Sequence, residues 1–145
     1  MKLFSFKGGV KPDPNKTKST QLPIAQAPLF AHYTVPLHQN VGGTPRPMVA
    51  VGDYVRKGQR IGEADGWVSA AVHAPTSGTV IEIGQHIVPH PSGLATPCVV
   101  IEADGQDTWI ERTPFAMDHD NPESVRHYLR DMGIVGMGGA VFPSH

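Results

Sequence analysis

Turn-forming residues recur at short intervals between residues 49 and 80, and they exclude any long helix there. Gly52-Asp53 is a turn pair, and Val49 and Val51 before it alternate with small or polar neighbours, which predicts a half-buried strand. Gly58-Gln59 makes a second break. Ile61 opens another extended run, and Ala64-Asp65-Gly66 supplies a hairpin tip. Residues 67–74 alternate with period two: Val68, Ala70, Val72 and Ala74 fall on one face, Trp67, Ser69, Ala71 and His73 on the other. Pro75-Thr76-Ser77-Gly78 ends the run. Short strands closed by Gly, Asp and Pro turns predict a mainly β fold, a small sandwich or barrel.

The pattern G-D-x-V-x-x-G-Q-x-I, from Gly52 to Ile61, followed by V-x-A-P-x-S-G-x-V, from Val72 to Val80, resembles the biotinyl/lipoyl-type hammerhead, or barrel-sandwich hybrid. The resemblance implies a carrier scaffold, and carriers of that type display a lysine at the central hairpin tip. Here the tip reads Glu63-Ala64-Asp65-Gly66-Trp67, and no lysine follows Lys57, which sits in an earlier turn. A swinging-arm carrier is therefore not expected.

The 16 glycines and 14 prolines, with 7% aromatic residues, favour many short elements over long helices, and 145 residues suffice for one modest core. Twelve basic against thirteen acidic residues, a formal net charge of −1, give no patch that would draw nucleic acid or anionic lipid. The single cysteine, Cys98, excludes a disulfide or a cysteine-only metal site within the chain. Lys7-Gly8-Gly9 interrupts the N-terminal residues too early for a signal-peptide core, and no run approaches the roughly 20 apolar residues of a membrane helix. A role at a membrane would run through docking to other subunits.

Residues 1–28 carry Gly8-Gly9 and several prolines, and Lys7, Lys11, Lys16 and Lys18 make them the most basic part of the chain; they predict a solvated arm. Tyr33-Thr34-Val35-Pro36-Leu37 predicts an extended segment leading to a turn at Asn40-Val41-Gly42-Gly43. The strand beyond Gly78 continues through Ile83. His86 and His90 stand four apart, but Pro89 and Pro91 deny them a helix and no third ligand is near, so no metal site is expected. Residues 98–103 predict the last strand, with Val99, Ile101 and Ala103 on one face and Val100 on the other, and Cys98 as a buried thiol.

The chain then changes character. Asp120 or Asn121 can cap a helix, Pro122 suits its first position and Glu123 complements its dipole; Val125, Tyr128, Leu129 and Met132 recur at helical spacing, and Gly133 stops it. This predicts a helix over residues 122–132 whose apolar stripe packs into the core. Behind it stands Gly133-Ile134-Val135-Gly136-Met137-Gly138-Gly139-Ala140-Val141-Phe142-Pro143, either a phosphate-binding loop or a linker turn.

Several segments in order resemble the N-terminal part of the C subunit of the Rnf-type electron transport complexes, also called ion-translocating oxidoreductase complexes. They are Gly8-Gly9-Val10-Lys11-Pro12 with Asn15-Lys16, Pro36-Leu37-His38-Gln39-Asn40-Val41-Gly42, Val51-Gly52-Asp53 with Gly58-Gln59, Val72-His73-Ala74-Pro75-Thr76-Ser77-Gly78, and the glycine-rich segment from Gly133 to Ala140. That last segment is also similar to the flavin loop of the flavoprotein subunit of respiratory NADH dehydrogenase.

The resemblance implies a subunit that takes hydride from NADH on FMN and passes single electrons to [4Fe–4S] clusters and ferredoxin-type carriers, coupled to ion movement. It implies a peripheral location on the cytoplasmic face of the bacterial inner membrane and the other members of the complex as partners. Gly136, Gly138, Gly139 and Ala140 carry over as the flavin phosphate cradle. Met137 stands where the NADH dehydrogenase loop has an arginine, and Val141 where it has a glycine. The two four-cysteine runs such a subunit needs are missing. The expected organisation is an extended arm over 1–28, a barrel-sandwich hybrid over 29–115, and a helix with a glycine-rich loop over 116–145 beginning a truncated flavin domain. The chain is then an N-terminal fragment with a structural and docking role, no catalytic or metal-binding residue, no bound cofactor and no NADH oxidation of its own. Two other classes fit the residues: a freestanding hammerhead adaptor, and a phosphocarrier with His73 as its histidine.

Overall fold

A computed structural model describes residues 8–9, 12–116 and 121–145. Among these residues seven strands and one helix follow in order: β1 (His32–Pro36), β2 (Arg46–Pro47), β3 (Tyr54–Val55), β4 (Arg60–Glu63), β5 (Val72–His73), β6 (Gly78–Ile87), β7 (Ala95–Ala103) and α1 (Pro122–Asp131). The fold is mainly β. One sheet has the order β1-β7-β6-β3 and the other β2-β4-β5, with every pairing antiparallel. The long β6–β7 hairpin is the spine of the first sheet, and its register shifts between Val80 and Glu82. The extra residue, Ile81, bends the strand and turns outward.

Between the sheets lies one apolar core: Val35 and Leu37 from β1 and its end, Val55 from β3 and Ile61 from β4, Val72 and Ala74 around β5, and Val80, Val99 and Ile101 from the hairpin. Four expectations fail in detail. Residues 49–51 form no strand, because Asp53 accepts the Ala50 amide on its carboxylate (2.8 Å) while its own amide donates to the Ala50 carbonyl, which closes a turn. Val51 is left exposed.

The predicted alternation over residues 67–74 reduces to the two-residue β5. Ser69, Ala70, Ala71 and Val72 are all buried in succession. Side-chain and helix contacts hold this segment in place of a ladder: the Ser69 hydroxyl accepts from the Asp65 amide and donates to the Gly43 carbonyl, and the Ala71 amide donates to the carbonyl of Arg130 at the end of α1. In β7, residues 98–101 are buried without alternation, since the strand is covered on both faces.

The helix forms, with Asn121 as its cap, accepting from the Ser124 amide at 3.3 Å; Asp120, the other candidate cap, lies outside the described residues, as do Val10 and Lys11. Its stripe, however, does not enter the core. Val125, Tyr128 and Leu129 are half-buried and Met132 is exposed, because α1 lies against the open edge of the smaller sheet. Arg130 reaches the carbonyls of Ala64 and Gly66, Arg60 pairs with Asp131 at 3.1 Å, and Tyr128 stacks on Phe115.

The turn at Thr76-Ser77 is buried and polar, so it needs partners, and the loop after β7 supplies them. Ser77 donates to Asp104 (2.8 Å) and accepts from the Thr108 amide; Thr76 donates to Asp107 (3.0 Å). Tyr54 donates to the other Asp104 oxygen at 2.7 Å, and Lys57 pairs with Asp107. The Tyr54 hydroxyl and then the Gln106 amide hold the Asp104 carboxyl below the ordinary value of 3.8, and Lys57 does the same for Asp107.

Both carboxyls are depressed on folding. Their contribution is therefore present above the unfolded value and is lost as pH falls through the lower folded value. Urea midpoints are expected to hold from pH 7 to about 5 and to drop below about pH 4. An Asp104→Asn, Asp107→Asn double variant loses stability at neutral pH and flattens that acid limb. An unchanged acid limb would remove this network from the account of acid unfolding.

Candidate functional site

The glycine-rich segment folds as a small hairpin, not as a loop opening a helix. An isolated antiparallel bridge joins Val135 to Pro143, the Gly136 amide donates to the Phe142 carbonyl at 2.7 Å, and the Val141 amide donates to the Gly138 carbonyl at 3.0 Å. The four predicted cradle residues are thus divided. Gly136 stands at the base with its amide engaged; Gly138, Gly139 and Ala140 form the tip, where no backbone carbonyl of the described residues takes their amides.

Met137 points fully into solvent. Val141 has φ +46°, in the left-handed region where a β-branched side chain is strained by about 1–3 kcal/mol. A glycine at that position would carry no such strain. Gly138 and Gly139, by contrast, have no positive φ, and a Cβ at either would meet nothing within 4 Å. Among the described residues, nothing in the packing calls for glycine at these two positions. Their effect is to leave the backbone amides open to an approaching group.

Gly139, Ala140 and Val141 form one wall of a cleft of about 400 Å³; the other wall is the segment 38–42 with His90. That segment is fixed at both ends. Leu37 is buried in the core with its amide on the Pro97 carbonyl, and the Gly43 amide donates to Val68. The sequence marks residues 40–43 only as a turn and His90 only as half of a rejected metal pair. Their meeting with the distant tip depends on how α1 docks, and no local pattern signals that.

The remaining candidates have structural partners. Lys57 is held between Asp107 and the Trp109 ring, away from the hairpin tip, where Trp67 is 82% exposed. His86 bonds Glu82 and His90 bonds Ser92; among the described residues no group of three or more His, Cys, Asp or Glu side chains is placed to hold a metal ion. Burial pushes the Cys98 thiol up and holds the half-buried His73 below the ordinary imidazole value. A thiol kept protonated in this way is a poor nucleophile.

Residues 4–106 match the family model described as the RnfC barrel sandwich hybrid domain. The chain belongs to the RnfC barrel sandwich hybrid family. Among RnfC relatives, it is 50% identical over 143 residues to the C subunit of the ion-translocating oxidoreductase complex of Pseudomonas aeruginosa, covering 98% of this chain and 18% of that protein. It is 43% identical over 144 residues to the protein of the same name from Haemophilus influenzae (99% and 22%), and 41% identical over 145 residues to the C subunit of the proton-translocating ferredoxin:NAD(+) oxidoreductase complex of Clostridium ljungdahlii (99% and 31%). The chain thus spans less than a third of the length of these curated RnfC relatives. The likeness runs past the matched domain through the helix and the glycine-rich hairpin. Among the described residues no helix is long and apolar enough to cross a membrane.

Proposed function

We propose that this chain is the front part of an RnfC protein that, at full length, moves electrons between NADH and ferredoxin-type carriers with coupled ion transport. The arm over 1–28 and the barrel-sandwich hybrid over 29–115 dock the protein to its neighbours in the complex at the cytoplasmic face of the inner membrane. Residues 116–145 begin its flavin domain. The observation that carries this reading is the 41–50% identity over 98–99% of the chain, glycine-rich hairpin included.

Two cofactors follow from the family, and the residues treat them differently. The hairpin tip fits a flavin phosphate: Gly138, Gly139 and Ala140 offer amides without backbone partners among the described residues, on glycines that crowd nothing. When bound, FMN supplies exchange of either two electrons or one. This chain's part is to bind and orient its phosphate. The iron–sulfur clusters do not fit, since the sole cysteine is a buried core thiol, and cluster ligands belong to other parts of the full-length protein.

The test is to read the gene past the codon for His145 and to express the product. An open frame with a flavin domain and two four-cysteine runs, whose product binds FMN and oxidises NADH while residues 1–145 oxidise none, is the expected result. A stop codon with no such frame would leave a hammerhead adaptor, and the redox role would fall.

A further inference from the structure

We propose that His38 and His90 are the donor wall of the phosphate site, facing the amides of Gly139 and Ala140 across the cleft, which takes a phosphate ester. This rests on reading the hairpin tip as a phosphate cradle. The tip has donors but no charge, because the side chain at 137 is a methionine turned into solvent. Neutral amides at an open surface hold a phosphate weakly, and further N–H donors on the opposite wall of the cleft would add to them.

The geometry supplies two such donors. Nδ1 of His90 accepts the Ser92 amide at 3.2 Å and lies 2.8 Å from the Ser92 hydroxyl; that hydroxyl oxygen in turn accepts the Leu94 amide, so its own proton is free for Nδ1. The neutral ring must then carry its hydrogen on Nε2, which has no partner among the described residues. His90 is thereby fixed as a donor. His38 sits one residue beyond the buried Leu37, on a segment anchored at both ends, so its backbone position is set by the core.

Beyond the phosphate there is room for the rest of an ester. His38, Gln39 and His90 also line an adjoining groove of about 500 Å³ that continues to Val88 and Leu94 of the β6–β7 loop. A cleft polar at one end and partly apolar at the other suits an organic phosphate better than a bare ion. FMN and NADH share that chemistry, and the experiment separates them.

The 145-residue chain, labelled with ¹⁵N, is titrated with FMN, NADH, inorganic phosphate and riboflavin and followed by NMR. FMN is expected to move the amides of Gly138, Gly139 and Ala140 together with the ring signals of His38 and His90; riboflavin, lacking the phosphate, leaves all of them in place. In a His38→Gln, His90→Gln double variant the dissociation constant rises at least tenfold while the β6 and β7 amides stay at their native shifts. The same responses to NADH and not to FMN would keep the histidine wall and transfer the site from flavin to dinucleotide. Loop shifts with unchanged affinity in the double variant would overturn the histidine role and leave the cradle standing. Silent loop amides with any ligand would overturn the cradle and the histidine role with it.

Discussion

An Ile101→Ala variant is expected to lose about 3–4 kcal/mol of stability, against the 2–5 kcal/mol typical of deleting a large buried aliphatic side chain. Ile101 is fully buried and lies at the centre of the molecule: in β7 it faces Tyr33 of β1 on one side and Val80 of β6 on the other, and its side chain belongs to the core shared by both sheets. Rigid ladders on either side prevent collapse into the cavity, which puts the cost in the upper part of the range. Domains of this size have roughly 5–15 kcal/mol in all, so the variant would lose between about a fifth and four fifths of its stability. Ile87→Ala, at the far end of the same hairpin where the side chain is 75% exposed, should shift stability by less than about 0.5 kcal/mol. Urea unfolding of the two variants measures the contrast. Equal, small losses would mean that the sheets do not share one core.

The contrast between these isoleucines also shows what could be read from residues alone. Turn chemistry was legible: Gly52, Gly58 and Gly66 all adopt positive φ where breaks were expected, and the helix starts at Pro122 behind its Asn121 cap. These signals are local, set by the few conformations a glycine, proline or asparagine allows. Burial was less legible. Period two fails at residues 69–72 and 98–101 because tertiary neighbours cover both faces, and the stripe of α1 misleads because the helix covers a sheet edge and not the core. The candidate site was half legible. The glycine-rich tip stood out in the sequence, but His38 and His90 reach it only through the docking of α1 and the β6–β7 hairpin.

Gly42 is where fold and cleft depend on the same atom. Its φ is +108°, and a Cβ there would lie 2.0 Å from the carbonyl oxygen of Val68 and 2.8 Å from a Val68 methyl, too close for any rotamer change to relieve. A Gly42→Ala variant must therefore separate the segment 38–42 from the hairpin tip, breaking the bond from the Gly43 amide to Val68. Backbone strain of about 1–3 kcal/mol and one lost hydrogen bond of about 1 kcal/mol together predict a loss of roughly 2–4 kcal/mol. Gly66→Ala is the control. Its φ is also positive, at +76°, but a Cβ meets nothing within 4 Å, so the cost should stay near 1 kcal/mol. The two variants should differ again in the cleft: displacing residues 38–42 moves His38 away from Gly139 and Ala140, so phosphate-ester shifts at the tip should weaken in Gly42→Ala and persist in Gly66→Ala. If both variants unfold at the same urea concentration, the close approach at Val68 is not what holds the segment. If Gly42→Ala is less stable yet binds as the parent does, the far wall of the cleft plays no part in binding.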